Sequence, residues 1–133
     1  MALDMTRERV GLASAHHTSQ ENFIHPIKPL QINHDIKRSS QIDDLIIKLQ
    51  SILKNQKVDG IIVHWPLSPN GHLGRACGRT LYFLDRLAND KVISSSLPIA
   101  LWDARKALLP TSSIVYENPP DKWVSYLYYI NLI

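Results

Sequence analysis

Hydrophobic and polar positions alternate at the start of the chain in a way that predicts a β-hairpin. Leu3 and Met5 share one face of a first strand and Asp4 takes the other, and an apolar strand resumes at Val10 after the polar turn at 6–9. The hairpin therefore carries a carboxylate near its rim. Taken alone, this segment favours a structural interpretation in which Asp4 closes a tight turn.

The next part of the chain changes from a strand pattern to a helix pattern. A polar stretch at 16–25 precedes an alternating segment at 26–32, whose two prolines suit an edge strand. Residues 39–56 then show a helical apolar stripe, and Ser40 with Asp43 resembles a capping box at its start. The stripe consists of Ile42, Leu45, Ile46, Leu49, Ile52 and Leu53.

Two further strands enclose a second helix. The continuous apolar run at 58–67 predicts a strand buried on both faces, and 94–103 predicts a strand that ends on Asp103. Between them, 75–90 predicts a helix with an apolar face and an arginine-bearing face opposite. The apolar face consists of Cys77, Leu81, Leu84 and Ala88, and the opposite face carries Arg75, Arg79 and Arg86.

The predicted order through residue 103 is β-β-β-α-β-α-β, which implies parallel neighbours in a mixed sheet. After it we expect a short helix at 104–109, a loop at 111–120 and an aromatic closing helix at 121–133. That last helix is apolar nearly all round. It is either deeply buried or packed against a partner chain, which leaves a homodimer open.

Composition restricts the class of protein. The 133 residues suit one domain over 1–133, and 44% hydrophobic with 20% charged residues is ordinary for a globular protein. No apolar run is long enough to span a bilayer, the N-terminus lacks a signal-peptide pattern, and Cys77 is the one cysteine. We therefore expect a cytoplasmic protein without a membrane partner. A net charge of +3 permits a polyanionic partner but identifies none.

Three carboxylates occupy comparable positions near element ends: Asp4, Asp103 and Asp121. If the strands of Asp4 and Asp103 are neighbours, and the closing helix crosses their ends, the three acids converge. Their mutual repulsion would then be relieved by Mg²⁺ or Mn²⁺, which could activate water against a phosphodiester. The structural alternatives are that Asp103 simply ends a strand and that Asp121 caps a helix.

Four segments carry a resemblance to a known family, in its order along the chain. They are LDMTRERVGLA at 3–13, IIVHWPLSPNGHLGRACGRTLYFLDRL at 61–87, LPIALWDAR at 97–105 and PDKWVS at 120–125. Together they resemble the YqgF/RuvX type of RNase H-fold nucleases, also called Holliday-junction-resolvase-like or pre-16S rRNA nucleases.

The resemblance implies an α/β, RNase H-like fold with a mixed five-stranded sheet flanked by helices. It also implies a nuclease with a Mg²⁺ or Mn²⁺ site and a nucleic-acid substrate, either structured RNA in rRNA maturation or branched DNA. By position, Asp4, Asp103 and Asp121 would be the metal ligands and catalytic residues. Arg9 and Arg105 would contact phosphate.

The chain also departs from the family pattern. Asn70 and Ala104 stand where the family has acids, and Thr6 replaces a glycine. We therefore expect the site to bind one metal weakly or none, and a protein that binds nucleic acid or the ribosome without cleaving is the alternative. His64 also replaces a glycine, and it would be a substitute ligand, a base, or a ring packed beside Trp65.

The remaining polar features allow two interpretations each. Arg75, Arg79 and Arg86 form a stripe that could follow a phosphate backbone or simply be a solvated helix face. Gly71 and Gly74 could let amides approach a phosphate or only shape a turn. His16 and His17 are expected in a polar loop. An actin-like phosphate-binding domain also opens with an acid-bearing hairpin, but its glycine-rich phosphate loops are absent here.

Overall fold

The computed structural model describes residues 1–17, 22–33 and 38–103. The order of elements through residue 103 is the predicted one. The bounds are β1 Ala2–Met5, β2 Arg9–His17, β3 Asn22–Gln31, α1 Arg38–Asn55, β4 Ile61–His64, α2 Arg75–Asn89 and β5 Ile99–Trp102. The helices predicted after residue 103 lie outside the described residues, as do Asp121 and Arg105.

The strands form one mixed sheet of five, in the order β3-β2-β1-β4-β5. β1, β2 and β3 pair antiparallel, whereas β1, β4 and β5 run parallel. The parallel half arises because α1 and α2 connect its strands, and such crossovers return the chain in the same direction. This α/β architecture confirms the predicted fold class and is consistent with an RNase H-like fold.

The first hairpin forms as predicted, but its turn is held by Thr6. The Thr6 hydroxyl accepts hydrogen bonds from the amides of Glu8 at 3.3 Å and Arg9 at 3.0 Å, and donates one to the Arg9 carbonyl at 2.8 Å. Asp4 lies inside β1, opposite Gly11 of β2. The interpretation of Asp4 as a turn-closing residue is therefore wrong.

The second hairpin is longer than the sequence pattern predicts. β2 continues through His17 and β3 begins at Asn22, so that His16 and His17 lie in a strand and not in a loop. The rings of His16 and His25 lie diagonally across the ladder, tilted by 59° with centroids 5.9 Å apart. Backbone pairing extends this hairpin into polar sequence because hydrogen bonds of the ladder do not require apolar side chains. β3 lies at the sheet edge, as predicted.

α1 covers one face of the sheet with the predicted stripe. Ile42, Leu45, Ile46, Leu49 and Leu53 are all buried in the main core, with Ile52 packed beside them. The helix begins at Arg38, so Ser40 lies within its first turn and the predicted capping box is wrong.

α2 buries a face different from the predicted one. Cys77, Thr80, Phe83 and Leu87 are buried, whereas Leu81 and Ala88 are exposed and Leu84 lies at the boundary. The burial of Thr80 is tolerated because its hydroxyl donates to the Ala76 carbonyl at 3.2 Å. The helix has apolar residues on two adjacent faces, and the face with Phe83 meets the core.

β4 lies in the middle of the parallel half of the sheet, and its residues alternate in exposure. Ile61 and Val63 are buried, whereas Ile62 and His64 are partly exposed, so the prediction of burial on both faces is wrong. One face of the strand meets the core and the other is partly open to solvent. Neither helix in the described ranges is long and apolar enough to cross a membrane.

Candidate functional site

The carboxyl ends of three parallel strands meet at one edge of the sheet. Leu3 pairs with Val63, and His64 pairs with Trp102, so that Asp4, His64 and Trp102 occupy successive positions across the ends of β1, β4 and β5. Asp103 follows directly after β5. In open α/β sheets this edge is where ligand sites usually form.

The structure joins two of the residues singled out from sequence in one hydrogen bond. Nδ1 of His64 lies 2.8 Å from Oδ1 of Asp4. The Asp4 side chain is 5% exposed and the His64 side chain 23% exposed, so the carboxylate lies behind the ring. An ionised carboxylate only accepts, and His64 therefore donates through Nδ1–H to Asp4. This pairing offsets part of the cost of burying a carboxylate.

The neighbours of Asp4 explain why a carboxylate fits inside the sheet. Leu3 and Met5 point into the main core, so alternation turns Asp4 to the other face. On that face Gly11, its cross-strand partner, has no side chain, and the buried neighbours Ala2 and Ala13 are small. The small residues at these positions thus allow the Asp4 side chain to be buried on this face.

The donor chemistry of this pair is compatible with a divalent cation. Mg²⁺ is usually held by one or two protein ligands, with water and substrate phosphates completing its coordination. Within residues 1–17, 22–33 and 38–103 no group of three or more His, Cys, Asp or Glu side chains is placed to hold a metal. Asp4 and His64 thus fit a site with few protein ligands and do not form a closed cage.

The strand order does not meet the condition set above, that Asp4 and Asp103 lie on neighbouring strands. β4 lies between β1 and β5, so the two acids belong to strands that are not neighbours. Two strand spacings amount to about 10 Å. Asp103 is half-buried and has an interaction of its own. Because Asp121 lies outside the described residues, the three-acid cluster stays a prediction.

The arginines predicted to contact nucleic acid lie on two different elements. Arg75 is exposed at the first residue of α2, and Arg79 is half-buried one turn later. Nε of Arg79 is buried without a hydrogen-bond partner among the described residues. Arg9 is the first residue of β2, next to the turn of the β1–β2 hairpin, and it pairs with Gln31 of β3. Their contact with phosphate stays a prediction.

Arg86, the third arginine of the predicted stripe, is engaged within the protein. Its Nη2 donates to Asp43 of α1 at 2.6 Å and to Asp90 at 3.2 Å. Hydrogen bonds to Asp43 above all, and also to Tyr82 and Asp90, raise the pKa of the Arg86 guanidinium. Arg86 therefore links the two helices.

The loop before α2 shows what one of the two glycines, Gly71, does. Gly71 has a φ of 83°, in the region that favours glycine, and its amide donates to the Ser68 carbonyl at 2.8 Å. The structural interpretation, in which Gly71 shapes a turn, is therefore confirmed. Gly74 occupies the N-cap of α2 in an extended conformation, without a side-chain capping hydrogen bond.

Sequence reasoning identified Asp4 and His64 separately but missed their pairing. Its three options for His64, which were a metal ligand, a base and a ring packed beside Trp65, did not include a hydrogen bond to Asp4. The available signal was positional, because both residues lie at the carboxyl ends of strands predicted to be parallel.

No family model matches the chain. A protein of Roseobacter denitrificans (strain ATCC 33942 / OCh 114) named "Putative pre-16S rRNA nuclease" is 27% identical over 117 residues, which cover 88% of this chain and 65% of that protein. A protein of Pelagibacter ubique (strain HTCC1062) with the same name is 27% identical over 105 residues, covering 79% of this chain and 61% of that protein. The chain thus spans less than two thirds of the length of these curated relatives.

Proposed function

We propose that the chain is a metal-dependent nuclease domain that acts on structured nucleic acid, with precursor 16S rRNA as the first substrate to test. The observation that carries the proposal is the buried Asp4 carboxylate, paired with His64 where parallel strands end. The names of the two relatives support the choice of substrate.

In this proposal, acids at the strand ends would bind the cation, and arginines of α2 would bind phosphates. Asp4 offers a carboxylate that His64 holds in one orientation. A Mg²⁺ or Mn²⁺ ion bound there would stabilise negative charge on a phosphodiester and lower the pKa of its water. Arg75 and Arg79 would bind phosphates along the backbone, and their contribution would weaken as salt increases. Asp103 and Asp121 would complete the ligand set.

A second candidate is a domain that binds the same nucleic acid without cleaving it. The specific observation in its favour is the small number of metal donors, since Asp4 and His64 form a pair and no larger cluster in the described parts of the chain. Asn70, in the loop after β4, adds no carboxylate. The arginines would serve this function unchanged.

A cleavage assay separates the two candidates. Labelled precursor 16S rRNA fragments and a four-way DNA junction are incubated with the chain in Mg²⁺, in Mn²⁺ and in EDTA, and binding is measured in parallel. The nuclease proposal expects cation-dependent cleavage, preferably of the RNA. Binding without cleavage in every cation would favour the second candidate.

The variants test the site itself. Asp4→Asn should lower the cleavage rate by about 100-fold or more, since loss of a direct ligand should exceed the 10- to 100-fold typical of outer-shell partners. The matched control is Asp85→Asn, the same change at an exposed position of α2. Cleavage by Asp4→Asn at the rate of the parent chain would show that the activity does not come from this site.

A further inference from the structure

We propose that His64 is a nitrogen ligand in the same cation site as Asp4, and that it gives the site a preference for Mn²⁺ over Mg²⁺. The inference rests on the proposed function, because it assigns a further residue to that site. It begins from the hydrogen bond between His64 and the buried carboxylate of Asp4.

The distance between the two donor atoms matches that of neighbouring ligands on one ion. Nδ1 of His64 and Oδ1 of Asp4 are 2.8 Å apart. Two ligands at right angles, each about 2.1 Å from an octahedral ion, are about 3.0 Å apart. A cation could therefore bind both atoms, provided that His64 takes the tautomer with its hydrogen on Nε2 and its ring turns the Nδ1 lone pair from Oδ1 toward the ion.

The charge and burial of the pair also suit a cation. Within the described ranges, Asp4 forms a hydrogen bond with His64, and no lysine or arginine forms a salt bridge with this carboxylate. A buried carboxylate without a strong counter-charge raises the local affinity for a cation. The greater exposure of His64 places its ring on the open side of the carboxylate.

The imidazole determines which cation is preferred. Mg²⁺ is a hard ion that takes oxygen ligands. First-row transition ions accept nitrogen, and Mn²⁺ is the member of that series nearest to Mg²⁺ in its use of carboxylate and water. A pair of one carboxylate and one imidazole therefore favours Mn²⁺ more than a pair of carboxylates would.

The test measures binding of the metal directly and needs no substrate. Mn²⁺ is titrated into the chain while free Mn²⁺ is followed by electron paramagnetic resonance, and bound Mn²⁺ is then displaced with Mg²⁺. The parent chain should bind about one Mn²⁺ and require a large excess of Mg²⁺ for displacement. His64→Asn should bind Mn²⁺ at least about 10-fold more weakly, with a smaller excess of Mg²⁺ sufficing.

His64→Asn is chosen because an asparagine amide can still donate to Asp4. A purely orienting role would survive this change, whereas a nitrogen ligand is lost. His72→Asn, at an exposed position of the loop before α2, is the matched control and should bind as the parent does. If His64→Asn does not fold, as judged by circular dichroism, His64→Gln replaces it.

The outcomes separate this inference from the proposed function. Mn²⁺ binding that requires Asp4 but is unchanged in His64→Asn would overturn the inference and leave the nuclease proposal standing. Absence of Mn²⁺ binding by the parent chain would overturn the inference as well. Binding that depends on both residues, in a chain that cleaves neither nucleic acid, would support the inference while the nuclease proposal fails.

Discussion

Leu87 and Leu81 allow one substitution to be compared at two positions of the same helix. Leu87 is 0% exposed in the core, whereas Leu81 is 51% exposed. Leu→Ala changes intrinsic helix propensity by the same small amount at both positions. The difference between the two variants therefore reports burial, and it tests which face of α2 meets the sheet.

The two variants should differ widely in how much free energy of unfolding they lose. Replacing a fully buried leucine with alanine costs about 2–5 kcal/mol, through lost transfer free energy and the cavity that remains. The same change at a half-exposed position should cost about 0.5 kcal/mol. With a urea m-value of about 1.5 kcal/mol/M, a loss of about 3 kcal/mol moves the midpoint by about 2 M.

Urea unfolding followed by far-ultraviolet circular dichroism measures both variants against the parent chain. Leu87→Ala should lower the midpoint strongly, and Leu81→Ala should leave it nearly unchanged, with equal m-values throughout. A larger loss for Leu81→Ala than for Leu87→Ala would refute the orientation of α2 and restore the face predicted from sequence. Equal losses would refute it too.

Three other contacts lead to predictions about the stability of the chain. A double-mutant cycle with Arg86→Ala and Asp43→Ala, measured by urea unfolding, should show favourable coupling between the two side chains. This coupling should disappear near 1 M salt because salt screens partly exposed ion pairs. Coupling that persists in salt would contradict the prediction. Thr6→Val should lower the free energy of unfolding by about 1 kcal/mol, whereas Thr6→Ser should not, and equal losses would rule out a hydroxyl role. Burial lowers the pKa of the Met1 amine from 8.0, against a smaller opposing effect of Asp59. Between the lowered pKa of the folded chain and the pKa of 8.0 in the unfolded chain, the unfolded chain binds more protons. The free energy of unfolding should therefore rise with pH up to about 8.0, and it should rise less in an N-acetylated chain. Identical pH profiles of the two chains would argue against burial of the amine.

The two helices show when an apolar pattern is sufficient for prediction. In α1 the apolar stripe is bordered by polar residues such as Gln41, Asp44 and Lys48, so only one face can be buried. In α2 the apolar residues cover two adjacent faces. Which of them is buried depends on the fit of Phe83 into the core, and that fit is a property of the assembled sheet.

The hairpin of β2 and β3 shows a limit on predicting strand length from the sequence. Its distal part contains polar residues at 16–25, where composition favours a loop. The strands nevertheless continue, because each antiparallel hydrogen bond extends the ladder from the one before it. Side-chain patterns carry little information on how far a hairpin at the edge of a sheet extends.

The candidate site depends on strand order, which no local pattern contains. Asp4 and His64 are 60 residues apart and meet because β4 lies directly beside β1. Had β5 taken that place, Asp103 would be the neighbour of Asp4 and the two carboxylates would repel. With β4 between them, His64 is the residue that Asp4 pairs with in the described part of the chain. A histidine at this position donates to the carboxylate, and under the proposed function it would instead share a cation with it, so the cation that this edge would bind depends on residue 64 as well as on the acids.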